Sequence, residues 1–481
     1  MSEIIKDLHT AVKEKILKQP ASFRDPSGFV FEQNGILYRQ VNQVYREHYD
    51  HLINSGLYDV LIQRGLMVPH QEINNVKGLN DAYKILEPSH INFISYPYEW
   101  SFSQLKDAAL LTLEIQRIAL NHHMTLKDAS AYNVQFFFSR PIFIDTLSFE
   151  KYQEGQPWAA YRQFCQHFLA PLSLMAQKNI SLNKLLAVHI DGIPLDLTSS
   201  LLPRSTWFNV GLALHVHIHA KTQKAFSSTD HMNNDKTRRQ MPVSKNGLIG
   251  ILDGLQKTIT KLKWKTTGTE WGEYYGVTNY SESAFQHKKN IVEKYIEIAT
   301  PRNVWDLGGN VGVFSRIASN MNIPTVSFDI DPLAVEINYR EVLEKKEKFL
   351  LPLLLDLTNP SPGLGWNCSE RSSIFQRGPA DCILALALIH HLSISNNVPF
   401  ENLSDFFSKI CKSLIVEFIP KDDSQIQRLL RSRKDIFVDY SQKNFEAAFM
   451  RHFNIKHAES ISGSARRLYL MQKKEEISEK Y

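Results

Sequence analysis

Cysteine is scarce in this chain, four in 481 residues, and Cys165, Cys368, Cys382 and Cys411 fall without paired spacing. That excludes a disulfide framework and a cysteine zinc site, and it leaves reduced thiols. No apolar run is long enough to span a bilayer. The start, Met1 to His9, lacks the apolar core and small-residue cleavage site of a secretory leader, so the expected compartment is the cytoplasm. A strong net charge is also missing. The formal charge is +5, and clusters such as Lys236, Arg238 and Arg239 beside Asp235 stay small, which argues against nucleic acid as a partner. The chain has no repeat period, so solenoids and propellers are excluded.

What is there describes an ordinary globular protein, 43% hydrophobic and 22% charged, long enough for two or three domains with their own cores. The polar stretch 220–245 has few core-forming residues and reads as a linker between residues 1–219 and 246–481. In the first part, Gly28 to Val41 reads as a hairpin turning at Asn34-Gly35. A helix over Tyr45 to Arg64 follows, then strands at Ala82 to Leu86 and Ile91 to Ile94, then a helix over Phe102 to His122. That order describes an α+β unit. In the last part, Leu248, Ile251, Leu252, Leu255 and Ile259, and then Ile291, Tyr295 and Ile298, have helical spacing. Short apolar runs at Val304, Thr325, Leu350, Cys382 and Leu414 alternate with helical patterns. They predict an α/β fold, a Rossmann-like doubly wound sheet, with Phe453 to Lys456 and Arg467 to Met471 as an antiparallel edge hairpin.

The first of those strands ends in Asp306 and breaks into a turn containing Gly308, Gly309 and Gly312, which lets the backbone approach a ligand and opens a helix with free N–H groups. A dinucleotide fingerprint would need glycine where Asn310 and Val313 stand. A P-loop would need a lysine, and the turn has none. A cofactor without phosphates and with its own positive charge remains, which is S-adenosylmethionine. The next two strands end in Asp329, placed for ribose hydroxyls, and Asp356, placed for an adenine amine. Asp331 before Pro332 reads as a helix cap, and Asp381 as the start of the fourth strand.

These residues resemble the class I S-adenosylmethionine-dependent methyltransferases over Trp271 to Lys473. The resemblance implies that Gly308 packs on the methionine part, Asp329 binds ribose and Asp356 reaches adenine. Asn310 departs from the glycine more usual in that family. Trp271 to Ser281 reads as a lid or a packed loop, and Lys288 as a surface residue. Methyl transfer needs alignment and dryness more than acid-base help. His390 and His391 past the fourth strand, and Glu417 at the end of the fifth, are the candidate catalytic residues. No Asn-Pro-Pro-Tyr clamp follows the fourth strand, which favours an oxygen acceptor, expected to be a small molecule.

A second constellation lies in the first half. Asp128, Asn133 and Asp145 have the spacing of a kinase-like phosphotransferase loop, and the resemblance covers Phe29 to Leu172. It implies a base at Asp128 and magnesium ligands at Asn133 and Asp145. No Gly-rich phosphate loop is present, Arg39 stands where a strand lysine is expected, and Lys84 is the substitute on offer. A degenerate kinase-like domain that selects the acceptor or regulates is therefore expected. Asp128 to Glu150 and Pro157 to Phe168 also resemble the nodulation-type, host-specificity methyltransferases. His215, His217 and His219 alternate, and they read as exposed strand histidines more readily than as metal ligands. The expected function is methyl transfer from S-adenosylmethionine. The alternatives are a phosphotransferase with a regulatory cofactor domain and a catalytically silent binding protein.

Overall fold

Asn34 and Gly35 both have positive φ, 55° and 78°, so a two-residue turn joins the first long strands in register. The computed structural model describes residues 16–222, 242–265, 281–431 and 435–475. Its first half holds a five-stranded antiparallel sheet of β1 (Leu17–Lys18), β2 (Gly28–Gln33), β3 (Ile36–Asn42), β4 (His70–Glu72) and β5 (Ala82–Pro88), in the order β1-β2-β3-β5-β4. The helical stretch after β3 is two helices, Arg46–Asn54 and Leu57–Gln63, because Gly56 takes a left-handed φ of 75°. The expected strand at Ile91 to Ile94 is a loop, which turns Phe93 inward against Trp305 and Phe328. The long helix Phe102–Asn121 follows, capped by Ser101 and Gln104 in a reciprocal box. Two small antiparallel pairs come next, β6 (Met124–Leu126) with β9 (Phe149–Lys151), and β7 (Val134–Phe137) with β8 (Arg140–Phe143).

The second half is a seven-stranded sheet of β10 (Val304–Leu307), β11 (Thr325–Asp329), β12 (Leu350–Leu354), β13 (Ala380–Ala385), β14 (Cys411–Phe418), β15 (Phe453–Ser460) and β16 (Arg467–Lys473). Its order is β12-β11-β10-β13-β14-β16-β15, with the first five strands parallel and helices between them. The closing hairpin forms at the edge of the sheet, as expected, with β16 lying between β14 and β15. The reason is in the side chains. Leu468 to Met471 are all buried, as an interior strand needs, whereas β15 alternates with exposed polar residues suited to an edge.

The two halves share one large buried apolar cluster, beside smaller clusters that belong to one half alone. Arg377 makes a bidentate pair with Glu99, at 2.6 and 2.8 Å, with both side chains almost wholly buried. Ser103 donates to Glu336, Gln104 Nε2 to the Pro352 carbonyl and Ser139 to the Leu350 carbonyl. The helix Lys245–Lys261 packs on the first half, where Lys106 donates to the carbonyls of Thr260 and Leu262 and Gly211 lies against Thr258. Residues 223–241 of the expected linker lie outside the described residues.

Candidate functional site

β10 has β11 on one side and β13 on the other, so the chain reverses its winding there and a crevice opens at the carboxyl ends of these strands. Asp306, Gly308, Gly309, Asn310, Gly312, Asp329 and the loop after β13 all come to this place. Gly308 and Gly312 have φ of 79° and 81°, and Asn310 replaces glycine at a φ of 49°, which asparagine tolerates. Within the turn itself most N–H groups are already used. Gly308 and Gly309 both donate to the Phe328 carbonyl, Val311 to its neighbour Asn310 Oδ1, and Gly312 to the Gly309 carbonyl. The helix begins only at Ser315.

The Asn310 N–H donates to Asp329 Oδ2 at 2.8 Å, and the Asp331 N–H to Oδ1 at the same distance, so one carboxylate sets the turn and the end of β11 together. Asp331 caps the helix Pro332–Lys345 by accepting from Leu333 N, as its sequence position suggested. Asp306 lies deeper and accepts from Ser315 Oγ at 2.6 Å. Burial, above all, pushes the Asp306 and Asp329 carboxyls up to about 6. Asp356, just past β12, accepts from the Thr358 N–H and hydroxyl. Asp381 lies at the start of β13, held well below the usual carboxylate range first by its hydrogen bond from Arg302 and further by Lys412.

Gly309 is the tightest point of the turn. A Cβ there would press into Ser327 Oγ and lie 3.1 Å from Asp306 Oδ2. Gly309→Ala should therefore cost about 1–3 kcal/mol of stability, read as a lower urea midpoint at unchanged slope.

The wall opposite the turn is charged and buried. Lys288 is not a surface residue: it is 3% exposed and donates to Glu417 Oε2 at 2.7 Å. Its helix, Glu282–Ala299, buries Ala284, Lys288, Ile291 and Tyr295 on one stripe, so the helical period already placed this lysine on the core face. Its ammonium also lies 4.6 Å from the Phe314 ring centre. Glu417, wholly buried, takes a second bond from the Ala387 N–H at 2.8 Å, and Arg466 lies 3.8 Å away while pairing with Asp423. Ala387 has a φ of 49°, a strained value for alanine, so Glu417 fixes a loop conformation that the residue does not itself favour.

That loop leads to His390 and His391. His390 is buried, its Nδ1 has no hydrogen-bond partner among the described residues, and burial holds its pKa well below the ordinary histidine value. Burial also brings His391 down to about 4. Both rings are neutral at physiological pH and offer hydrogen-bond acceptors, with little basicity. Gly308 lies against Leu388 of the same loop, so the turn and the histidine loop face each other. A cavity of about 520 Å³, whose lining includes neither histidine nor any residue of the Gly turn, is bounded by Ser393, Asn397, Glu401, Asp439, Asn444 and Arg451 over Phe400 and Tyr440. Residues Trp271 to Tyr280, read as a lid or loop, lie outside the described residues.

The second constellation also assembles, but in a closed form. Asn133 donates to Ser148, and its side chain and that of Gln163 hydrogen-bond to Asp128. Burial, and then the charge of Asp145, raises Asp128 above the ordinary carboxylate pKa. Asp145 itself is held by Arg39, the Ser148 hydroxyl and the Leu147 N–H. Lys84 pairs instead with Glu72. The His215 to His219 stretch is helical, and His215 and His217 are buried, bonded to Tyr161 and to Ser199 and Thr206. Apolar neighbours on both sides set a helical period there, which the short alternation of histidines concealed. Among the described residues no group of His, Cys, Asp or Glu has a metal-binding arrangement.

Fold and site define a class: a Rossmann-like α/β domain with a crevice at the β10 switch point, fused to an α+β half. No family model matches the chain. It is 33% identical over 462 residues to the nodulation protein NoeA of Rhizobium meliloti (strain 1021), across 94% of this chain and 96% of that one, and it belongs to the same family. Among solved structures, the magnesium protoporphyrin IX methyltransferase of Synechocystis PCC 6803 with bound SAH is 16% identical, over 42% of this chain and 93% of that one, with a TM-score of 0.31. The N-methyltransferase NodS of Bradyrhizobium japonicum WM9 is 10% identical, over 40% and 99%, with a TM-score of 0.29.

Proposed function

We propose that this chain is an S-adenosylmethionine-dependent methyltransferase acting on the oxygen of a small molecule. The observation that supports it most is the Asp329 carboxylate, which joins the Gly turn to the end of β11 by accepting from the Asn310 and Asp331 N–H groups. The donor set fits the cofactor. Asp329 meets ribose hydroxyls, Asp356 an adenine amine, and the turn between Gly308 and Gly312, which contains no lysine or arginine of its own, packs on the methionine part. When bound, the cofactor supplies an electrophilic methyl group. The protein's own part is alignment and the exclusion of water.

His390 and His391 accept a hydrogen bond from the acceptor's hydroxyl and aim its oxygen, and Glu417 positions their loop through Ala387. The first half acts as a kinase-like domain without phosphotransfer: Arg39 and Ser148 close Asp145, the group that would have to hold a metal. It selects the acceptor or regulates, and the boundary with the methyltransferase domain falls after Lys265, since the helix Lys245–Lys261 packs on the first half. The four free thiols, three of them buried, suit a reducing cytoplasm.

Calorimetric titration of the full chain with S-adenosylmethionine tests the reading, and a lysate incubated with deuterated-methyl cofactor and analysed by mass spectrometry finds the acceptor. Absence of binding heat would overturn it. Because Asp306 and Asp329 titrate near 6, affinity should fall as pH drops through that value, by about tenfold per unit for one required carboxylate. Folding stability runs the other way. These carboxyls bind protons more tightly when folded, so their contribution is complete below the unfolded value near 4 and is lost as pH rises through about 6.

A further inference from the structure

The first half presents an apolar surface that methyl transfer leaves unused. Between Leu197 and Thr222 the chain has no acidic residue. There the turn Arg204–Phe208 leads into a helical run over 210–222, whose inner side buries Leu212, His215, Val216 and His217. The outer side is apolar as well. Phe208 is 91% exposed, Val210 81%, Leu214 52% and Ile218 46%, a row of bare hydrophobic side chains. Trp207 lies at its edge, stacked on His217 at 4.4 Å, with the Lys221 ammonium 4.5 Å from its ring centre.

The helix Lys245–Lys261 crosses close by, with Gly211 against Thr258 and Gly254 against the His215 ring. That helix and its tail carry exposed Lys257, Lys261, Lys263 and Lys265, while the acid of that helix, Asp253, is paired with Arg117. An apolar row with Lys221 at its edge and a lysine-rich helix packed against it is the pattern of a helix that lies in a lipid interface.

We propose that this face docks the protein on an anionic bilayer, with Phe208, Val210, Leu214 and Ile218 entering the headgroup boundary and the lysines reaching lipid phosphates. Charge selects this occupant. A second copy would set one cationic border against another, and residues 223–241 are themselves net basic, with Lys224, Lys236, Arg238 and Arg239 against Asp230 and Asp235. Among the described residues no helix is long and apolar enough to cross a membrane, so the contact is peripheral.

Flotation of the full chain with vesicles tests the proposal, independently of any methyl transfer. The chain should float with equimolar phosphatidylglycerol and phosphatidylcholine, not with phosphatidylcholine alone, and less so as salt rises. Phe208→Asp with Leu214→Asp should weaken binding by at least about tenfold, and Lys257→Gln or Lys261→Gln by about fivefold each. Unchanged thermal melting of these variants shows that the loss is not unfolding. No flotation with the anionic vesicles, or flotation undiminished in the Phe208 and Leu214 variant, overturns the proposal. So does a dimer that Phe208→Asp dissociates in the absence of vesicle binding, which would give the face to a second copy.

Discussion

Asp329→Ala is expected to weaken S-adenosylmethionine binding by about a hundredfold or more, because each hydrogen bond to a charged acceptor contributes about 1.5–3 kcal/mol and two ribose hydroxyls lose theirs. The substitution has a second effect, since Asn310 N–H and Asp331 N–H lose their acceptor and the turn is no longer tied to β11. Asp356→Ala gives the comparison. Asp356 lies on the edge side of the crevice and braces only Thr358, so its loss should reduce affinity by about tenfold, one contact's worth. Titration calorimetry of both variants reads the difference. Equal affinity in wild type and Asp329→Ala would remove Asp329 from the cofactor site, whatever the chain then binds.

Lys288→Met is expected to destabilise the fold by about 3–5 kcal/mol, the usual cost of leaving one charge of a buried pair uncompensated. Glu417 is fully buried, and without the lysine its nearest cation is Arg466, 3.8 Å away and already engaged by Asp423. The double variant Lys288→Met with Glu417→Leu should recover much of that loss, because no lone charge then remains in the interior. Equilibrium urea unfolding of the single and double variants measures both quantities. A Lys288→Met protein as stable as wild type would mean that the pair is not buried in solution. The double variant should also lose methyl transfer while still binding cofactor, since Ala387 at its φ of 49° has lost the carboxylate that held it.

Much of the second half could be read without coordinates. Strands buried on both faces are continuous apolar runs, and each of the five parallel strands was visible as one. The acids at the ends of β10 and β11, and just beyond β12, follow from the same pattern, since a ligand crevice lies where parallel strands stop. The first half was less legible. β4 is three residues with no apolar signal, Gly56 divided a helix that periodicity ran through, and Phe93 belonged to a contact with Trp305 more than two hundred residues away.

Local pattern therefore determined which residues face a core, where strands end, which turn needs glycine and that the turn excludes phosphate-binding lysine. Those properties depend on neighbours within a few positions. Tertiary structure alone decided that β16 inserts between β14 and β15, that the two halves share one large apolar cluster, that Arg39 covers Asp145, and that Lys288 meets Glu417 beneath the loop of His390. Each joins groups far apart in the chain, and the partner that a buried charge finds across such a distance depends on the packing of whole elements. The side chains themselves do not reveal it.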